Sequence, residues 1–372
     1  MKDLKKTEGK ISVLFAGRYP DTGIISGPGN AAKSIFDEHT KNCSSVFIQY
    51  FFDGRKFSVF QKLFGKALEK GGKIITLGLF RLLPEVRRRQ PEVIHLITFE
   101  RFAVIFFIYK MLFKVKVIYN SHGIIQHENS SFKELSAYNR FKDAFCEKIF
   151  LKYSDKLIFP SKPAMDIACK YYSIDEKKSV LLPNGVSEAF FMKSDDRSKT
   201  RIIKAVLHYR NELNRSGIEL LKRTLGAIEL PIEIHLITDE NINIPQSEYV
   251  ALFTHKMMPS AELPRFYADK HVFLSLNEYD TFSISSAEAM AAGLIPVVTS
   301  QTGISRYIDS GINGFTFDYT DSKTLAAILN NLCNIPQEEK NRISSAAADT
   351  ARELRWEYVT EMYEELYREA VK

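Results

Sequence analysis

Short apolar runs recur along this chain, each closed by Gly, Pro, Ser, Asn or Asp, with segments of helical periodicity between them. ISVLFAG (Ile11 to Gly17), SSVFIQYFF, PEVIHLIT, VKVIYNSHGI and DKLIFPS read as strands of the first half. IIKAVLHY, IEIHLITD, YVALFTH, HVFLSL and IPVVT repeat the pattern in the second. Nearly continuous apolar strands are those of a parallel sheet covered on both faces. The segment RFAVIFFIYKMLF (Arg101 to Phe113) is apolar but too short to cross a bilayer, and reads as a crossover helix buried against the sheet. Strands alternating with helices predict an α/β protein, and 372 residues are too many for one typical core.

The chain is organised around Asn277 to Val298, NEYDTFSISSAEAMAAGLIPVV. Ala, Glu and Met are good helix formers and Gly293 is placed to end a helix, so the stretch predicts a loop, a helix from about Ser283 to Ala292 and a buried strand from Ile295 to Thr299. Asp280 falls in the loop and Glu288 about a turn into the helix, eight residues on. Free amides around Phe282, Ser283, Ile284 and Ser285 at the helix N-terminus would suit a phosphate. The two flanking carboxylates would accept from sugar hydroxyls.

Other candidates follow strands. The loop after the first strand carries Gly23, Gly27 and Gly29, which let a phosphate or sugar approach the backbone, although by itself it also fits a plain turn. Ser121-His122-Gly123 closes VKVIYN. Arg210 and Arg215 flank the loop after IIKAVLHY, where two guanidinium forks could clamp a diphosphate. MKSDDRSKT (Met192 to Thr200) has the polarity of an interdomain linker.

DTFSISSAEAMAAGLIPVVTS resembles the region written EGFGLxxLEAMAxGxPVV in the retaining family 4 glycosyltransferases (glycosyl transferases group 1). PNGV, NGF, the His-Gly loop and the paired basic residues extend the resemblance from Ile11 to about Tyr367. It implies a GT-B architecture, two Rossmann-like domains with parallel sheets facing across a cleft. The acceptor domain would span residues 1–190, the nucleotide-sugar domain 200–348, and a terminal helix over 349–372 would pack back on the first. It gives Glu288 the donor ribose, Asp280 and His122 the donor sugar, Arg210 and Arg215 the diphosphate, and the backbone around Met257 the base. The donor would be a UDP- or GDP-sugar, with no metal or other cofactor, and the acceptor a glycan or a lipid-linked sugar. The product would be cell-surface polysaccharide or glycolipid. The chain departs from the pattern at Asp280 for Glu, Ser283 for Gly and Arg215 for Lys. A catalytically silent sugar-nucleotide-binding subunit of a partner transferase, and a GT-B sugar-nucleotide epimerase, are the alternatives.

Composition is that of an ordinary globular protein, and four scattered cysteines without a C-x-x-C fit a reducing compartment rather than a disulfide or zinc framework. No secretory leader is visible. Charge is uneven: residues 1–186 carry a net +13 and the remainder −7. With the Phe/Lys stretch GRKFSVFQKLFGKALEKGGK (54–73), read as a helix with Phe57, Phe60, Leu63, Phe64, Ala67 and Leu68 on one stripe, this raises contact with an anionic membrane. The other reading of that stripe is a helix packed in the core. The expected location is the cytoplasm, free or peripheral on the inner membrane face, with no nucleic-acid partner.

Overall fold

The computed structural model describes residues 11–20, 27–43, 45–51, 57–131, 136–191, 202–210 and 215–372. Two compact units emerge: residues 1–183 together with 356–372, and residues 184–355. The linker segment at 192–200 lies outside the described residues.

In the first unit the chain runs β1 (Val13–Ala16), α1 (Gly27–Asn42), β2 (Val46–Tyr50), α2 (Val59–Phe64), β3 (Lys66–Glu69), β4 (Ile74–Leu77), α3 (Leu79–Arg89) and β5 (Val93–Leu96). It continues through α4 (Ile105–Leu112), β6 (Lys116–Asn120), α5 (Ile125–Ser131), α6 (Ala137–Tyr153), β7 (Lys156–Phe159), α7 (Lys162–Tyr171) and β8 (Ser179–Leu181). These strands form one sheet in the order β3-β4-β2-β1-β5-β6-β7-β8, parallel except for the β3–β4 pair. Strand alternation divides the core. Ile94, Leu96, Val117 and Tyr119 pack with α3, α4 and α6, whereas Phe15 and His95 turn to the opposite face.

The second unit runs β9 (Ile203–His208), α8 (Arg215–Thr224), β10 (Ile232–Ile237), β11 (Val250–His255), α9 (Leu263–Tyr267), β12 (Val272–Ser275), α10 (Ile284–Ala291), β13 (Ile295–Thr299), β14 (Phe315–Phe317), α11 (Ser322–Asn334) and α12 (Gln337–Arg352). Its sheet is wholly parallel, in the order β11-β10-β9-β12-β13-β14. The last helix, α13 (Trp356–Val371), belongs to the first unit. It packs on α1 and closes the Phe15 face: Tyr367 Oη lies 2.8 Å from His95 Nδ1, and Asn120 Nδ2 donates to Tyr363 Oη at 2.8 Å.

Two expectations from the sequence are corrected in the first unit. The Phe/Lys stretch is not one helix, and neither reading of its stripe as a helix face holds. A capping box at Ser58 starts α2, which stops at Gly65, where a Cβ would fall 2.5 Å from the Gln61 carbonyl oxygen. Ala67 and Leu68 instead lie in the edge strand β3, turned back on β4 through Gly71 and Gly72, both at positive φ. No side chain of α2 is buried, and Phe60 is 70% exposed. Residues 54–56 lie outside the described residues. The Arg101 to Phe113 segment is likewise only half a core helix. Phe106, Phe107 and Tyr109 face the sheet, while Ile108, Met111 and Leu112 of α4 face solvent, Met111 at 87%.

Candidate active site

Each sheet reverses its winding once, and at such a point the loops beyond neighbouring strands diverge and leave room for a ligand. In the second unit this falls between β9 and β12. The segments leaving those strands carry Arg210 on one side and Asn277 to Ser283 on the other. The first turn of α8 comes close here, because a Cβ on Gly217 would lie 2.8 Å from the Leu276 carbonyl oxygen. A residue without a side chain is required. Arg215 opens α8 at this point, and its side chain lies outside what the structure describes.

The loop from β12 into α10 is held by its own polar groups. Asp280 Oδ1 accepts from the amides of Phe282 (3.0 Å) and Ser283 (2.8 Å), and its backbone carbonyl accepts from Gly303. Thr299 Oγ1 donates to the Asn277 carbonyl at 2.6 Å, tying the loop to the end of β13. Burial raises the Asp280 carboxyl, and the loop amides oppose that shift. This corrects the expectation of free amides from Phe282 onward: two of them already serve Asp280. Among the described residues none accepts from the amides of Ile284 and Ser285, which leaves these two at the helix N-terminus for an anion.

Ser283 is the N-cap of α10 and stands at φ 70°, ψ 69°, in the left-handed region. A glycine fits there without cost; a serine does so at about 1 kcal/mol or more. Its hydroxyl lies 2.8 Å from Ser286 Oγ and 3.3 Å from Ser275 Oγ, which offsets part of that strain. The Phe282 side chain is buried in the core, with its ring edge against Tyr307, and so does not line an open surface. Ile284 is half-buried against the same cluster.

Glu288 follows one turn into α10, where burial pushes its carboxyl up to about 8 and Arg210 pulls the other way. The structure therefore brings Arg210 and Glu288 together. Behind them stand two groups that the sequence reading missed. Tyr267 Oη lies 3.0 Å from His208 Nε2, and burial, then Arg210, push that imidazole down to about 4. His208 is thus neutral and Tyr267 a phenol, so the wall behind Glu288 carries no charge of its own. The signal for His208 is its position as the last residue of β9, two before Arg210. At the far edge, Met257 leaves β11 with its N–H donated to Asp239 Oδ1 at 3.0 Å.

In the first unit the switch lies between β1 and β5. Gly17 is needed there, since a Cβ would fall 2.5 Å from Thr98 Oγ1, which accepts from the Arg18 amide at 2.8 Å. Glu100, also missed from sequence, sits beyond β5, its carboxyl raised by burial to about 7 against the pull of Arg18 and Arg101. His122 follows β6, hydrogen-bonded to the backbone of Ile97; burial lowers its ring to about 4 and keeps it neutral. Gly27 and Gly29 form the first turn of α1, and Gly23 lies outside the described residues. Among the described residues, one group of three side chains could hold a metal ion: His39, Cys43 and Glu364, in the first unit.

Two family models match the chain. Residues 58–190 match Glycosyltransferase Family 4, and residues 250–350, which hold the Asp280–Glu288 loop and helix, match Glycosyl transferases group 1. The chain belongs to the group 1 glycosyltransferases of GT-B fold. Solved structures of this transferase's fold include sucrose-phosphate synthase from Thermosynechococcus elongatus, with 14% identity over 97% of this chain and 99% of that one, TM-score 0.73. HepE from Anabaena in complex with UDP and glucose gives 14% identity over 96% and 100%, TM-score 0.71. The catalytic domain of starch synthase IV from Arabidopsis thaliana bound to ADP and acarbose gives 13% over 97% and 99%, TM-score 0.66. No curated protein sequence matches the transferase.

Proposed function

We propose that this glycosyltransferase retains anomeric configuration and needs no metal, moving a sugar from a UDP- or GDP-sugar to a glycan or lipid-linked acceptor in cell-surface polysaccharide or glycolipid synthesis. The observation that carries the reading is the pairing of Arg210 with Glu288 beside the open amides of Ile284 and Ser285, at the switch point of the second sheet. Glu288 takes the ribose hydroxyls. The amides, Arg210 and Arg215 take the diphosphate, whose charge grows as the glycosidic bond breaks. The leaving diphosphate itself accepts the proton of the incoming hydroxyl. Asp280 gives Oδ1 to its loop amides, accepts from Asn277 Nδ2 at 3.5 Å through Oδ2, and turns the remaining acceptor capacity of Oδ2 to the sugar; the neutral imidazole of His122 serves the sugar as well. The structures of HepE with UDP and UDP-glucose make uracil the first base to test.

A thermal-shift screen of nucleotide sugars tests the reading, since a ligand that binds only the folded chain raises Tm. UDP- or GDP-sugars should raise it in the parent and far less in Glu288→Ala. Hydrolysis of the bound sugar separates an enzyme from a silent binding subunit. Loss of turnover in EDTA, restored by magnesium, would overturn the metal-free mechanism.

The acceptor side carries the proposal of a membrane surface in the cytoplasm. On the layer covering the Ile94 face of the first sheet, Phe80 of α3, Ile108, Met111 and Leu112 of α4, and Phe141 and Phe145 of α6 are all exposed. Val59, Phe60 and Phe64 of α2 extend the apolar surface, with the Phe64 and Phe80 rings stacked at 5.1 Å. Apolar surface of this extent within the basic half suits an anionic bilayer and a lipid-linked acceptor.

A further inference from the structure

We propose that His39, Cys43 and Glu364 form a binding site for one zinc-class divalent transition-metal ion between α1 and α13. His39 and Cys43 stand one helical turn apart at the end of α1, the Cys43 amide donating to the His39 carbonyl at 3.1 Å. The α13 helix packs on α1 and brings Glu364 against this turn, its Oε1 3.7 Å from His39 Nδ1. One ligand atom from each of the three residues lies within 4.8 Å of the other two. In a tetrahedral zinc site with bonds of about 2.0 to 2.3 Å, neighbouring ligand atoms are about 3.3 to 3.7 Å apart. The nitrogen–oxygen separation of 3.7 Å comes within a few tenths of an ångström of that requirement. The thiol, within 4.8 Å of both, approaches by a change in one side-chain torsion.

The surroundings hold two of the ligands in place. The His39 ring is buried and packs edge-on against Phe15 (5.3 Å) and Tyr367 (5.7 Å). Arg368 holds the other oxygen of Glu364, Oε2, at 3.2 Å, which leaves Oε1 directed at the imidazole. Outer partners of this kind orient metal ligands. One imidazole, one thiolate and one carboxylate select zinc, cobalt or iron over magnesium and calcium, which take oxygen sets. Cys43 and Glu364 are half-buried, so water can complete a fourth position. The ion would clamp the last helix of the chain to the first. That role is separate from donor binding, so the site stands or falls independently of the proposed reaction.

Cobalt(II) added to the reduced, chelator-stripped full chain tests the site. It should bind at one equivalent with a sulfur-to-cobalt charge-transfer band, which zinc removes and magnesium does not. Cys43→Ser should abolish the band with an unchanged circular dichroism spectrum, and Glu364→Gln should weaken binding tenfold or more. Cys169→Ser, at an exposed cysteine, should leave the band intact. Absence of the band in the parent, or its persistence in Cys43→Ser, overturns the proposal.

Discussion

Glu288 is costly to keep in this fold without a ligand, and that cost can be measured. Its folded-state value of about 8 lies above the ordinary 4.5, so between those two pH values the folded chain holds a proton that the unfolded chain has released. Stability from this group falls as pH rises through the window. Glu288→Gln removes the dependence and should be more stable than the parent at pH 8, by roughly 2 kcal/mol after discounting for residual solvent, and little different near pH 5. Thermal melts at the two pH values read this directly. In donor binding the order reverses: above pH 8, where the carboxyl is ionised, Glu288→Ala should lose about 1.5 to 3 kcal/mol of affinity by calorimetry, the worth of a charged hydrogen bond. Ser283 provides a second test. Ser283→Gly relieves the positive φ while losing the hydroxyl contacts, and should be nearly neutral. Ser283→Ala keeps the strain, loses the contacts and should cost about 1 to 2 kcal/mol in chemical denaturation. The placing of Asp280 and Arg210 just after strands, and of Glu288 within the helix that follows, was legible in the sequence. The use of the Phe282 and Ser283 amides by Asp280 was not, since a carboxylate four residues before a helix serves a ligand or its own loop equally well.

Among the elements, the buried strands were readable because runs such as VIHL and IPVVT admit no other packing. The helix α10 was readable because Gly293, at φ 76°, ends it where helix formers give out. The α2–β3 segment was not. Phe60, Leu63, Phe64, Ala67 and Leu68 satisfy helical spacing, yet KALE also alternates as an edge strand, and the Gly71-Gly72 turn decides for the hairpin. His39 and Cys43 hid for another reason: their third partner comes from position 364, beyond the reach of any local spacing. The contact of α13 with the first sheet rests on two buried phenols. Tyr367→Phe leaves His95 Nδ1 without its partner and should cost about 1 to 3 kcal/mol in urea denaturation, with Tyr363→Phe exposing Asn120 to a similar loss.

At the scale of the whole molecule, the unit of residues 1–183 and 356–372 joins a net charge of +10, +13 from the first stretch and −3 from the second, to the exposed apolar side chains of α2, α3, α4 and α6. Binding to liposomes should therefore rise with anionic lipid and fall with salt. Equal, negligible binding to neutral and anionic vesicles at low salt would favour a soluble acceptor. The return of α13 to the first unit has a further consequence, for the order in which the molecule is made. Residues 184–355 are contiguous and bring their whole core with them, so they can fold while the chain is still being synthesised. The first unit leaves the ribosome earlier but is completed last. Until Tyr363 and Tyr367 emerge, the face bearing Phe15 and His95 has no cover from α13. A fragment ending at 183 should accordingly aggregate or bind hydrophobic dyes, whereas a fragment of 184–355 should melt cooperatively on its own. A nascent chain stalled before α13 has emerged would be the species most in need of a chaperone.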